Sequence, residues 1–322
     1  MVQRMDIGDL GQLTTLGDGG EGVVFRASRV PGQVYKEYKA SVAHELSVDG
    51  LEKTVALLER FPPAARQFVS ERSAWPETLV TRNGNIAGFL MQEVPGHFWC
   101  EHGMAGRPRS GLTDWNKLVT RADWMDKQNI ESTVPKFRVS NKADARSLHR
   151  VLLDLAQLFR HLHEAGIVVG DVSGQNILWT VRPEPRVFLI DCDGLRSEGE
   201  RAVTISKQSP DWFDPLLNGD TNLDSDRYKL ATAIYRAYFA EAFATPSSSA
   251  PTGGRIGSRI AALAAAGTGP SPRTSAQQWC ELLEEIDDDR PRRLWSRRVP
   301  APAANPGRNL DARPDRDWKR RG

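Results

Sequence analysis

An α+β fold is predicted, with β-structure concentrated in roughly the first ninety-five residues and helices in most of the remainder. Two observations carry this expectation. Short runs rich in Val, Tyr and Phe crowd the first region, GVVFRASR and QVYKEYK among them, separated by the turn signal Val30-Pro31-Gly32. Further on, Leu148, Val151, Leu152, Leu155, Leu158, Phe159 and Leu162 recur at helical spacing, and Gly166 stands where a C-terminal cap belongs. At 322 residues the chain holds one large domain or two modest lobes around a shared cleft.

Taken in order, LEKTVALLERF places Leu51, Val55 and Leu58 on one helical face before Pro62-Pro63 stops the helix. TLVTRNGNIAGFLMQEVP reads as a hairpin about Asn83-Gly84-Asn85. Residues 96–145 are irregular and are expected to form an insert. IVVGDV and RVFLIDCDG are short apolar strands carrying Asp at their ends. DRYKLATAIYRAYF reads as an amphipathic helix and SAQQWCELLEEI as another, with SSSAPTGG and AAAGTGPSP as loops between them.

Composition is that of a soluble globular chain: 39% apolar and 26% charged. MVQRMDIGDL lacks the apolar run of a signal peptide, and no stretch has the length of a membrane span, so no membrane partner is expected. Cys100, Cys192 and Cys280 are scattered, with no CxxC pair, which suits reduced thiols in the cytoplasm. From Arg290 onward eleven Lys/Arg face three Asp/Glu, a local charge of +8; the whole-chain +2 less this +8 leaves −6 for residues 1–289. With its Pro and Ala, the stretch 287–322 reads as a disordered basic tail, a solvated terminus and not a nucleic-acid-binding element.

Four features carry chemistry, and they fall in one order. Gly17-Asp18-Gly19-Gly20-Glu21-Gly22-Val23-Val24 is a G-x-G-x-x-G-x-V run followed by a strand, not by the long helix a dinucleotide fold requires. Gly17, Gly19, Gly20 and Gly22 would let backbone N–H groups approach phosphate oxygens, with Val24 beside them. Lys36, sharing a strand face with Val34, offers a point charge beneath that loop. Glu52 on the next helix is a candidate for the carboxylate that holds the lysine, with Glu45 and Glu59 as competitors. In Gly170-Asp171-Val172-Ser173-Gly174-Gln175-Asn176, Asp171 would orient a hydroxyl and accept its proton, and Asn176 would reach a metal through its amide oxygen. In Leu189-Ile190-Asp191-Cys192-Asp193-Gly194, Asp191 supplies the hard oxygen that Mg²⁺ takes at a strand end. His161 and His163, two apart on a helix, point away from each other, and no metal role is expected of them. The nine tryptophans are expected in packing, and Cys192 as a small buried apolar residue.

In kind and order these features resemble the protein-kinase motif set, over residues 10–286. More narrowly, V-G-D-V-S-x-x-N with I-D-C-D-G resembles a divergent group of bacterial eukaryotic-type Ser/Thr kinases, some of which carry helix-hairpin-helix segments. The resemblance implies a bilobal kinase-like α+β fold: a small β-rich lobe over 1–95 and a mainly helical lobe over 96–286. It implies ATP and Mg²⁺ as cofactors and transfer of the γ-phosphate to Ser or Thr of a protein, the chain itself included. Asp171, Lys36 and Asn176 would be catalytic, and Asn176 and Asp191 would hold the metal. Backbone groups of Gln92 and Val94 would bond adenine, in a strand that resembles the lead into the kinase hinge. Ser209–Pro215 resembles the end of an activation segment, Asp226 the anchor of the catalytic loop, and Pro272-Arg273-Thr274-Ser275 the family's R-P-[ST] stretch. Phosphatases or von Willebrand A-type proteins are implied as partners.

The chain also departs from the pattern. Val169-Gly170-Asp171 replaces H-R-D, so control by loop phosphorylation is not expected. Ser173 stands where kinases carry a phosphate-contacting Lys, which leaves charge in the transition state less neutralised. Asp191-Cys192-Asp193 replaces D-F-G, and Asp193 would add a second carboxylate. Leu216 replaces the Glu that follows the Pro, which leaves Arg273 without its usual partner. These departures admit two alternatives: a pseudokinase that uses nucleotide to set its shape, and a small-molecule kinase.

Overall fold

A computed structural model describes residues 2–44, 46–104, 107–119, 137–138, 143–203, 209–247 and 254–288. Glu45, most of 120–142 and the basic tail from 289 onward lie outside the described residues. The fold is α+β, with one large sheet in the first part of the chain and helices dominating the second.

Strands β1 (Arg4–Asp6), β2 (Leu13–Asp18), β3 (Gly22–Ala27), β4 (Gln33–Tyr38), β5 (Pro76–Arg82) and β6 (Asn85–Gln92) form one sheet in the order β1-β5-β6-β4-β3-β2. The β1–β5 pair is parallel and the others antiparallel. The β5–β6 hairpin turns at Asn83 and Gly84, with φ of 53° and 84°, the left-handed pair that a two-residue hairpin demands. Strand β4 lies inside the sheet and is buried on both faces. Val34, Lys36 and Tyr38 face the second region, and Tyr35 packs with Leu10, Val80 and Leu90 on the far side.

After a short α1 (Ala40–Ala43) comes α2 (Val48–Leu57), capped by Ser47, whose hydroxyl accepts from Gly50 N–H. Its buried residues are Leu51, Thr54 and Leu57, so the inward stripe is set one step off the Leu51–Val55–Leu58 face read from sequence. That helix ends at Leu57 and passes into a 3-10 turn over Leu58–Arg60, and the proline pair then starts α3 (Pro63–Ser70), with Pro63 in the first turn, where a missing N–H costs nothing.

The 96–145 segment is partly regular. Strands β7 (Trp99–Met104) and β8 (Arg107–Leu112) pair as a hairpin, β9 (Phe137–Arg138) adds to it, and α4 (Trp115–Val119) follows β8. The long helix α5 spans Ala145–Glu164, capped by Asp144 accepting from Ser147 N–H, and Gly166 beyond it has φ +67°. Strands β10 (Ile167–Val168), β11 (Ile177–Thr180), β12 (Arg186–Leu189) and β13 (Arg196–Ser197) pair as β10–β13 and β11–β12. Helices α6 (Leu223–Phe239), α7 (Gly254–Thr268) and α8 (Ala276–Asp288) complete the described chain. The structure corrects two sequence expectations. Helix α6 is buried nearly all round, Lys229 and Arg236 included, and so is not amphipathic; α7 runs through Ala264–Thr268, where the sequence predicts a loop.

The two regions share structure. Leu178 and Phe188 of the β11–β12 hairpin pack with Val34, Leu51, Phe89 and Phe98. Backbone bonds from Ala74 N–H to Leu189 O and from Leu189 N–H to Arg72 O, both 2.8 Å, tie that hairpin to the entry of β5. Beneath them Arg72 Nε donates to Asp154 Oδ1 at 2.9 Å, and Asp154 Oδ2 accepts Val187 N–H at 2.8 Å. The buried tryptophans Trp75, Trp115, Trp179 and Trp279 are core residues, in line with the packing role expected of them. Among the described residues no helix is long and apolar enough to cross a membrane.

Candidate functional site

The glycine run forms the turn of the β2–β3 hairpin, with Gly17 opposite Val24 and Gly19 N–H donating to Gly22 O at 2.9 Å. Its glycines divide into two kinds. A Cβ on Gly22 would stand 2.6 Å from the Glu37 carbonyl oxygen, so packing against β4 excludes any side chain there. A Cβ on Gly17 or Gly20 would meet nothing within 4 Å, and at Gly19 only the Gly22 oxygen at 3.5 Å. The bare backbone at these three positions is not explained by internal packing; it leaves room for a group approaching from outside the chain.

Lys36 lies opposite Val24 in the β3–β4 register and is 5% exposed. Its ammonium donates to Asp191 Oδ1 at 2.5 Å and to Asp193 Oδ1 and Oδ2 at 2.8 and 2.9 Å. Tyr38, two residues along the same face, donates its hydroxyl to Asp193 Oδ2 at 2.8 Å. Burial would lower the lysine pKa, but the Asp193 and Asp191 carboxylates outweigh it and raise the value. For buried Asp193 the balance runs the other way: burial raises its pKa, and Lys36 and Tyr38 together pull it below the usual carboxylate range.

This arrangement corrects three expectations. Glu52 does not hold the lysine: it pairs with Arg4, and Glu59 pairs with Arg66 at 2.7 Å. Glu45 lies outside the described residues. Asp193, expected as an added metal carboxylate, is taken up by Lys36 and Tyr38 through both of its oxygens.

Asp171 and Asn176 sit in the loop between β10 and β11. Asn176 Nδ2 donates to Asp171 Oδ2 and to the Asp171 carbonyl, each at 3.0 Å. Asp171 Oδ1 is buried, with no hydrogen-bond partner among the described residues. Burial raises the Asp171 pKa; Lys229 and the Asn176 bond oppose this, and Asp191 adds to it. The β11–β12 hairpin carries Asn176 and Asp191 to the same end, joined by Ile190 N–H to Asn176 O at 3.0 Å. Asp191 has φ +61°, a left-handed conformation that Asp tolerates better than most residues, and its side chain is 44% exposed. Glu21, in the glycine turn, faces the same charges. Burial raises its pKa, Lys36 lowers it, and Asp191, Asp193 and Asp171 raise it further. Gln92 ends β6 opposite Gln33, and Val94 packs at the edge of the apolar cluster shared by the two regions; between them Glu93 N–H bonds Gly32 O at 3.0 Å.

The Asp171 loop is anchored from α6. Asp226 accepts the Val169 and Gly170 N–H groups at 2.6 and 3.0 Å, the anchoring expected of it, and wholly buried Lys229, one turn on, donates to Gly170 O at 2.6 Å. Gly170, at φ +79°, has no room for a side chain: a Cβ would stand 2.9 Å from Arg196 Nη1. Arg196 instead fills that space, donating to Thr221 O and Oγ1, Gly194 O and Glu200 O. On the other side a Cβ on Gly174 would stand 2.1 Å from Asn116 Oδ1, so α4 of the 96–145 segment buttresses the loop.

Arg273, expected to lack a partner, forms a buried two-pronged pair with Asp214, at 2.5 and 3.0 Å. The acid stands immediately before Pro215 instead of after it. A cavity of about 380 Å³ lined by Asp214, Leu216, Asn222, Asp224 and Arg273 adjoins this pair and includes none of the Lys36–Asp171 residues.

Of the groups sequence reasoning missed, Tyr38 was findable, two residues from Lys36 on one strand face, and so was Lys229, three from Asp226 on one helix face. Arg196 carried no local signal. Among the described residues no three His, Cys, Asp or Glu side chains gather to hold a metal. A cation at this site would rest on Asp191 and the Asn176 amide oxygen, since Asn176 donates its N–H to Asp171. Two protein ligands with open positions suit Mg²⁺, which keeps water and phosphate oxygens in its shell. No protein-family model matches the chain, and no curated protein matches it.

Proposed function

We propose that this chain is an ATP- and Mg²⁺-dependent protein Ser/Thr kinase of bilobal kinase-like architecture, with the sheet region as the small lobe and the helical region as the large one. The observation that carries the reading is the state of Asp171. One carboxylate oxygen is held by Asn176, and the other is buried and unpaired, on a loop anchored at three backbone atoms by Asp226 and Lys229. An unpaired buried carboxylate oxygen costs stability, and ionisable groups kept at such a cost beside other charges are commonly those that work at a site.

In this reading Asp171 Oδ1 orients the substrate hydroxyl and takes its proton. Asn176 fixes the opposite oxygen and, with Asp191, supplies the metal ligands. Lys36 provides the cation for phosphate oxygens, and the open glycines at 17, 19 and 20 admit them to backbone N–H groups. MgATP, when bound, supplies the phosphoryl group and the positive charge that offsets its transfer. The bond between γ-phosphorus and the bridging oxygen of ADP breaks as that to the hydroxyl oxygen forms, and the hydroxyl proton passes to Asp171.

Phe213 within the Ser209–Pro215 stretch and Leu216 just after it, about half exposed at 52% and 51%, form an apolar outer surface that suits a polypeptide substrate better than a small polar one. The chain itself, or a protein encoded with phosphatase or von Willebrand A-type partners, is the class of substrate or partner implied. Two features favour a nucleotide-gated binding module instead: Lys36 engages Asp191, the carboxylate assigned to the metal, and Ser173 leaves the transition state without a second cation. Incubation with γ-labelled ATP and Mg²⁺ separates the two. Label that appears on protein and vanishes in Asp171→Ala and Lys36→Ala supports the kinase; nucleotide binding without any transfer overturns it in favour of the binding module.

A further inference from the structure

We propose that Asp193, steadied by Tyr38, is the residue that positions Lys36, so that Asp191 is free to leave the lysine for the metal; this rests on the nucleotide reading above.

The ammonium of Lys36 makes three hydrogen-bond contacts to two carboxylates, one to Asp191 and two to Asp193. The two acids are not equivalent. Asp193 is 5% exposed at its side chain, and its Oδ2 also accepts the Tyr38 hydroxyl. Asp191 is 44% exposed at its side chain, touches the lysine through one oxygen and sits in a left-handed turn beside Asn176. If a cation takes Asp191, Lys36 remains a buried charge with one anionic partner, Asp193. Without Asp193 that partner would be missing, and a buried cation would hold Asp191 against the metal. The helix α2 carboxylate put forward from the sequence is not in this role here: Glu52 pairs with Arg4, and the ammonium is bonded by Asp191 and Asp193. The lysine clamp is thus carried by the same turn as the metal ligand, two residues away, and the two act through separate carboxylates.

The test compares full-length wild type with Asp193→Asn, Tyr38→Phe and Glu52→Gln, each first checked by circular dichroism and unliganded melting. The readouts are the Mg²⁺ concentration that gives half of the melting shift produced by a non-hydrolysable ATP analogue, and the half-saturating Mg²⁺ for phosphate transfer. Asp193→Asn keeps the shape and removes the charge. It is expected to raise both values roughly tenfold, the effect of losing one charged hydrogen-bond partner, with recovery at high Mg²⁺. Tyr38→Phe is expected to raise them by about two- to threefold, less than Asp193→Asn because its hydroxyl reaches the lysine only through the Asp193 carboxylate, and it keeps the proposal open to refutation should Asp193→Asn fail to fold. A role in folding alone would lower the unliganded melting point and leave the Mg²⁺ dependence in place. The proposal is overturned if Asp193→Asn and Tyr38→Phe need no more Mg²⁺ than wild type, or if Glu52→Gln is the variant that does. If wild type shows neither analogue-induced shift nor transfer, the nucleotide reading fails first and takes this inference with it.

Discussion

Two buried ion pairs stand in different parts of the molecule, and they are built in opposite ways. Arg273 and Asp214 meet through both prongs of the guanidinium, with side chains 4% and 1% exposed, and Arg273 also donates to Gly269 O and Asp224 O. Both oxygens of that acid are used. Lys36 and Asp193 are equally buried, but around them Asp191 is half open, Asp171 Oδ1 has no partner among the described residues, and three glycines leave empty space. A sealed pair with every group satisfied holds a fold together. A pair surrounded by open groups leaves room for a further partner, and an unpaired buried polar atom is kept only at a cost.

The largest effect expected from breaking this contrast is on chemistry. Asp171→Asn should lower phosphate transfer by on the order of a thousandfold while leaving the folded state at least as stable, since it neutralises a buried carboxyl with an unpaired oxygen. Urea unfolding alongside the transfer assay checks both halves. Next comes the sealed pair. Asp214→Ala strands Arg273 in the interior and should cost about 3–5 kcal/mol in the same unfolding experiment.

The glycine turn sharpens the comparison at lower cost. Gly22→Ala forces a Cβ toward the Glu37 carbonyl and should destabilise by roughly 1–3 kcal/mol. Gly20→Ala meets nothing within the chain, so stability should stay within about 0.5 kcal/mol of wild type while the KM for ATP rises. Equal effects on stability at the two positions would remove the distinction drawn between them.

The smallest expectation concerns pH. Burial raises the Asp171 pKa, so its base form appears only above the ordinary aspartate range, and the acid limb of kcat/KM should be displaced upward accordingly. For stability the sign follows from the raised folded value. The group's contribution is fully present below the unfolded aspartate pKa and is lost as pH rises through the folded one. Asp171→Asn should therefore flatten that loss, which urea midpoints taken across the acidic range would reveal.

Local signals were legible wherever a few neighbouring residues decide the outcome. Asn83-Gly84 marked its hairpin because only left-handed residues close a two-residue turn, and the glycine run between strand-forming segments marked another. The Asp171–Asn176 bond spans five residues of one loop and was within reach of the motif. The misreadings came where neighbours in space are far apart in sequence. Arg273 finds Asp214 across 59 residues, and a motif that looks for the acid after the proline misses one placed before it. Glu52 suits Lys36 by its place on the next helix, yet Arg4, 48 residues earlier, takes it. The all-round burial of α6 was hidden because its polar side chains find partners only once the loops at 170 and 211 pack on it.

The sequence by itself determined the strands and hairpin turns around the glycine run and Asn83-Gly84, the long helix ending before Gly166, and the chemical types available at each motif, since backbone propensity and side-chain chemistry are local properties. Only the tertiary structure decided which charges meet. It gave Lys36 to Asp193 and not to Glu52, placed Arg196 in the space beside Gly170, and left Asp171 Oδ1 without a partner among the described residues. Each is a competition among side chains distant along the chain, settled by burial and by which donors reach which acceptors.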